Sequence, residues 1–127
     1  MLFRSYLLQD HVRVGIFAPV QEAGIAALTG PQDSVAERIA TYERRRDRVR
    51  EALAGTRIDP PECEGSFYVW FELLEGVTPE SMLAEHRLAV APGEGFGSRG
   101  AGWARLSLAV TDEQLELGIE RLRRALA

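Results

Sequence analysis

The sequence predicts an α+β fold: a small, mostly antiparallel sheet covered on one face by helices. Three observations carry that expectation. Residues 35–53 and 115–126 place apolar side chains at helical spacing. Between them come three short apolar runs, at 66–71, 88–91 and 103–109, suited to strands. The resulting order is helix, helix, strand, short helix, strand, strand, helix, without internal repeat or low-complexity tract.

The elements follow from local signals. Residues 1–18 show no clean period and read as a lead-in arm, so the domain is expected over residues 19–127. Pro19-Val20-Gln21 opens a short helix of small residues, proline being suited to a first turn, and Thr29-Gly30-Pro31 stops it. Ser34 and Glu37 stand at capping-box spacing before a second helix, whose stripe is Val35, Ile39, Tyr42, Val49 and Leu53, ended by Gly55. Its other face interleaves Arg44, Arg45, Arg46, Arg48 and Arg50 with Glu43, Asp47 and Glu51, the pattern of a salt-bridged, solvated surface.

After Pro60-Pro61, the aromatic run Ser66-Phe67-Tyr68-Val69-Trp70-Phe71 is a strand, with Tyr68 and Trp70 expected to pack the sheet. Thr78-Pro79 starts a short helix ending near Arg87, and Leu88-Ala89-Val90-Ala91 is a brief buried strand stopped by Pro92-Gly93. From Trp103 to Ala109 the period is two, which puts Trp103, Arg105, Ser107 and Ala109 on one face. Thr111 and Gln114 cap a final helix whose buried stripe is Leu115, Ile119, Leu122 and Leu126.

Composition narrows the function classes. The 127 residues suffice for one core, and 46% hydrophobic with 27% charged residues is ordinary globular composition. A net charge of −4 argues against nucleic acid as a partner. No apolar run approaches the roughly 18 residues of a spanning helix, and the start lacks the pattern of a signal peptide. The expectation is a cytoplasmic protein with no membrane association. Cys63 is the single cysteine, which excludes an intrachain disulfide and a cysteine-based zinc site. All 15 basic residues are arginine, and asparagine is also absent, a pairing expected of a GC-rich coding sequence.

Two features could carry chemistry. Gly93, Gly95, Gly97, Gly100 and Gly102 crowd one loop, and three of them fit G-x-G-x-x-G formally. That motif binds a dinucleotide only when a strand precedes it and a helix N-terminus follows. Here a strand follows, so the loop is either a turn between strands or a backbone that passes close to a ligand. Arg105 lies in an otherwise apolar strand. A buried arginine is costly unless paired, and its planar fork suits a carboxylate; the pattern leaves open a solvent-facing arginine on an edge strand. His11 and His86 have no acid at triad or ligand spacing and read as surface or helix-end residues; Cys63 shows no activating neighbour.

Five segments occur in order: Pro19-Val20-Gln21-Glu22-Ala23, Glu43-Arg44-Arg45-Arg46-Asp47, Gly65-Ser66-Phe67-Tyr68-Val69-Trp70, Val90-Ala91-Pro92-Gly93 with Phe96-Gly97, and Ala104-Arg105-Leu106-Ser107-Leu108-Ala109. Together they resemble the C-terminal small domain of class I/II (fold type I) aminotransferases, over roughly residue 11 to the end. The finer likeness is to succinyldiaminopimelate and related bacterial amino-acid aminotransferases. The resemblance implies that Arg105 grips the α-carboxylate of an amino acid or 2-oxo acid. It also implies pyridoxal phosphate as cofactor, held on a lysine, and a homodimer in the complete enzyme.

The chain has no lysine, and nothing in it resembles the family's cofactor-binding motifs. The resemblance therefore implies part of an enzyme, with residues 1–18 a remnant of the missing N-terminal cofactor domain, inactive alone. The alternatives are a non-catalytic α+β binding module and a decayed fragment.

Overall fold

The computed structural model describes residues 15–58 and 62–127, which fall into two compact units, one ending at Ala36 and one over Glu37–Ala127. His11 and most of the expected lead-in arm lie outside the described residues.

In the first unit, helix α1 (Ala18–Thr29) carries its proline in the first turn, and the Gly30 N–H donates to the Ala26 carbonyl at its end. None of its residues is buried; Phe17, Val20, Ile25 and Leu28 are all exposed. Helix α2 (Asp33–Ala54) begins one residue before Ser34. The first α2 amides, of Val35 and Ala36, donate to the Gln32 carbonyl, while the Gln32 carboxamide donates to the Ala27 and Gly30 carbonyls. Gln32 thus links both helix ends, and Ser34, already inside the helix, is not the cap expected of it.

In the second unit, strands β1 (Tyr68–Glu72), β2 (Ala91–Pro92) and β3 (Trp103–Ser107) form an antiparallel sheet in the order β1-β3-β2. Alternation buries Val69, Phe71, Ala104 and Leu106 on one face. They join a core with Val49, Ala52 and Leu53 of α2, Met82 of α3 (Pro79–His86), and Leu115, Ile119 and Leu122 of α4 (Asp112–Ala125). This is the expected α+β arrangement, with helices supplying the second layer. Capping boxes open α3 (Thr78 with Ser81) and α4 (Thr111 with Gln114), each satisfying two otherwise unpaired amides.

Two expectations are corrected. Strand β2 has two residues and starts at Ala91, because Arg87 closes α3 in the left-handed region and the Leu88 amide turns back to the Met82 carbonyl. Leu88 is therefore buried as part of a helix cap and not in a strand. The α2 stripe is buried only in its C-terminal half: Val49 and Leu53 are sealed, Tyr42 is partly covered, and Val35 and Ile39 are exposed. The arginine face of α2 carries the salt bridges expected of it, Arg46 with Asp47 and Arg48 with Glu51, and it also reaches α4. Arg45 reaches the Leu108 carbonyl and Asp112, and Arg48 clamps Glu116 with two hydrogen bonds, tying α2 to α4.

Candidate functional site

The face of the sheet turned away from the core is unlike an ordinary solvated one. Cross-strand pairing sets Trp70 opposite Arg105, Tyr68 opposite Ser107 and Glu72 opposite Trp103, all on that face. Tyr68, Trp70, Trp103 and Arg105 are half-buried there. Tyr68 and Trp70 pack on this face of the sheet, as expected of them, while strand alternation places Val69 and Phe71 in the core.

The glycine-rich loop covers part of this face. It runs through two 3-10 turns, Gly93–Phe96 and Ser98–Gly100, before entering β3. Phe96 projects from it to meet the Trp70 ring edge-on, with centroids 5.2 Å apart. The loop leads into a strand, and Gly95 has neither a close neighbour nor a left-handed backbone that would require glycine. The geometry thus lacks the phosphate-receiving helix of a dinucleotide site.

Arg105 lies between two rings. Its Cζ is 3.9 Å from the Tyr68 centroid and 4.1 Å from the Phe96 centroid. Aromatic contacts continue to either side: the centroids of Tyr68 and Phe67 lie 4.4 Å apart and those of Phe67 and Tyr42 5.9 Å apart, both pairs tilted, while Phe96 leads to Trp70. Among the described residues no carboxylate forms an ion pair with Arg105, whereas Arg44, Arg45, Arg46, Arg48 and Arg124 all have one. A cation stacked on rings is stabilised without being neutralised, so its N–H donors remain available to an anion.

Beside Phe96 an open depression of about 530 Å³ is lined by Trp70, Phe96, Arg99 and Trp103, with Gly93, Gly97 and Gly100 along the loop. It is open to solvent, and Arg105 is not among the residues that line it. The sequence had singled out Arg105 and the loop; it missed Phe96 and Tyr68 as partners of the arginine and Arg99 as a second cation nearby. The signal was present in the period of β1, which puts Tyr68 and Trp70 on one face.

The remaining polar candidates have structural roles or none. His86 sits in the last turn of α3, where a basic residue complements the helix dipole. The Cys63 thiol contacts the Gly65 and Tyr68 carbonyls, both at 3.3 Å. Among the described residues no group of His, Cys, Asp and Glu is arranged to hold a metal, and no helix is long and apolar enough to cross a membrane.

Comparison with known proteins decides the family. The family model described as aminotransferase class I and II matches residues 4–122. The chain belongs to the class I and II aminotransferases. It is 43% identical over 112 residues to an LL-diaminopimelate aminotransferase of Dehalococcoides mccartyi, which covers 85% of this chain and 29% of that protein. It is 38% identical over 120 residues to the L-glutamine--4-(methylsulfanyl)-2-oxobutanoate aminotransferase of Bacillus subtilis, covering 91% of this chain and 30% of that one. Among solved structures, a probable N-succinyldiaminopimelate aminotransferase from Thermus thermophilus superposes with a TM-score of 0.81 at 32% identity, over 98% of this chain and 34% of that one. This aminotransferase chain thus spans about a third of the length of the relatives it matches.

The family implies pyridoxal phosphate, and the residues present do not fit it as a resident group. No lysine exists to bind it covalently, and the glycine loop offers no helix N-terminus to a phosphate. What the described residues do carry is an arginine held between two rings, with no ion-pair partner among them.

Proposed function

We infer that this chain is the C-terminal part of a pyridoxal-phosphate-dependent aminotransferase that moves an amino group between an amino acid and a 2-oxo acid. Its own contribution is Arg105, which binds the substrate carboxylate. The observation that carries the reading is the state of that guanidinium: half-buried against Tyr68 and Phe96, with no acid paired to it among the described residues. Burying a cation without a counter-charge is costly, and a ligand carboxylate would offset that cost by two parallel charge-assisted hydrogen bonds.

A substrate gripped there would extend past Phe96 toward the depression, which Arg105 itself does not line, and closing over it would exclude water from the reacting centre. The cofactor, its lysine and the opposite wall of the pocket belong to the missing N-terminal domain. Names of the relatives support amino-acid biosynthesis and substrates of the diaminopimelate kind. In the complete enzyme we place the chain in a cytoplasmic homodimer.

The test is the Arg105→Lys variant in the assembled enzyme, the chain together with its cofactor domain. Lysine keeps the charge and loses the fork. The expected loss is about 2–4 kcal/mol in kcat/KM for amino acids, with little change for the corresponding amine lacking a carboxylate. Equal losses for both substrates would make Arg105 a structural residue.

The absence of lysine also supports a second reading, a non-catalytic binding module. An adjoining coding frame that supplies a cofactor domain with its lysine would decide for the enzyme; a chain that binds carboxylates and never meets such a domain would decide for the module.

A further inference from the structure

We propose that Tyr68 and Phe96 are positioning residues: they form an aromatic clamp that holds the Arg105 guanidinium in one plane and aims its N–H edge at the carboxylate. The proposal rests on the carboxylate reading of Arg105 and adds to it what fixes the arginine. An arginine side chain has four rotatable torsions, and freezing a long side chain on binding costs entropy. A carboxylate partner can hold an arginine's planar fork by two parallel hydrogen bonds, but it occupies those donors and offsets the charge. Here two rings stand in that place, at 3.9 and 4.1 Å from Cζ. They restrict the guanidinium from both sides and leave its full charge for the ligand.

The two rings reach Arg105 from different elements. Tyr68 is fixed in β1, two residues from Trp70, the cross-strand partner of the arginine, and its ring meets that of Phe67 at a tilt. Phe96 arrives on the glycine loop and is held at its other side by Trp70. Phe96 itself is 52% exposed, although its ring covers a cation. Burial of its own surface therefore explains little of its placement; contact with Arg105 and Trp70 explains more.

The test is made on the full chain by NMR, following the Arg105 Nε–Hε resonance while pyruvate is added, with methyl pyruvate as the carboxylate-masked control. In the unmodified chain the resonance should be shifted by the ring currents and should move with pyruvate and not with methyl pyruvate. Phe96→Leu and Tyr68→Leu should each abolish part of the ring-current shift and weaken pyruvate binding about three- to tenfold, the loss expected for one cation–π contact. Phe96→Tyr and Tyr68→Phe keep a ring and should bind as the unmodified chain does. Unchanged methyl resonances of Leu53 and Leu122, core residues on the helices, report that each variant is folded.

Leucine variants that bind pyruvate at full strength would overturn the clamp and leave the carboxylate reading standing. A response to pyruvate no larger than to methyl pyruvate in the unmodified chain would remove the carboxylate reading, and the clamp with it.

Discussion

Gly93 and Gly100 touch backbone to backbone. A Cβ on Gly93 would lie 2.3 Å from the Gly100 carbonyl oxygen, and one on Gly100 would lie 2.0 Å from the Gly93 carbonyl oxygen. The loop between them is therefore a closed turn, drawn tight at its base, and Phe96 stands near its tip. Of these two glycines, Gly100 is the last of the G-x-G-x-x-G match and Gly93 lies outside it. They hold together the loop that brings Phe96 over Arg105.

Replacing either glycine should open the loop. The obstructing atoms are backbone, which cannot swing aside, so Gly93→Ala and Gly100→Ala are each expected to cost about 1–3 kcal/mol. Gly95→Ala has open space around it and should cost less than about 1 kcal/mol. Urea unfolding of the three variants checks this; equal midpoints would mean that the contact can relax.

The chain alone should not transaminate. With no lysine it has no side-chain amine for a Schiff base. Mixing it with pyridoxal phosphate, an amino acid and a 2-oxo acid should yield no new amino acid above the rate of the free cofactor. Robust turnover by the purified chain would contradict the proposed division of the enzyme.

Core and surface apolar residues should respond oppositely. Phe71 is fully buried between sheet and helices, so Phe71→Ala should cost about 3–5 kcal/mol. Leu28 on α1 is 83% exposed, and Leu28→Ser should change the stability of the isolated chain by no more than about 0.5 kcal/mol. The proposed assembly with a cofactor domain is expected to use exposed apolar surface of this kind, so Leu28→Ser should weaken it. Co-purification of the two parts measures that.

Acid should loosen the tie between α2 and α4. The Arg48 hydrogen bonds hold the Glu116 carboxyl below its ordinary value of 4.5, and Arg46 lowers Asp47 in the same way. A depressed carboxyl means that the unfolded chain takes up protons first. The stabilisation is complete above pH 4.5 and drains away as the pH falls through the lower, folded-state value. Both groups are exposed, so the effect is modest. Glu116→Gln should make the fall in urea midpoint below about pH 4.5 shallower; an unchanged slope would assign the acid sensitivity elsewhere.

Much of the element pattern was legible in the sequence because its causes are local. Pro19 in a first turn, Thr78 and Thr111 as caps, and the period-two run from Trp103 depend on residues within a few positions of one another. The same locality made Arg105 visible as a charge in an apolar strand. Tertiary structure decided what depends on distant segments. Strand β2 shrank because the cap of α3 claimed Leu88. The arginines of α2 became ties to α4 because Asp112 and Glu116 lie opposite them, more than sixty residues along the chain. Arg105 found rings on both sides because strand register brought Tyr68 beside it and the Gly93–Gly100 contact folded Phe96 across. Periodicity assigns a residue to a face, but only the packed chain determines what else shares that face.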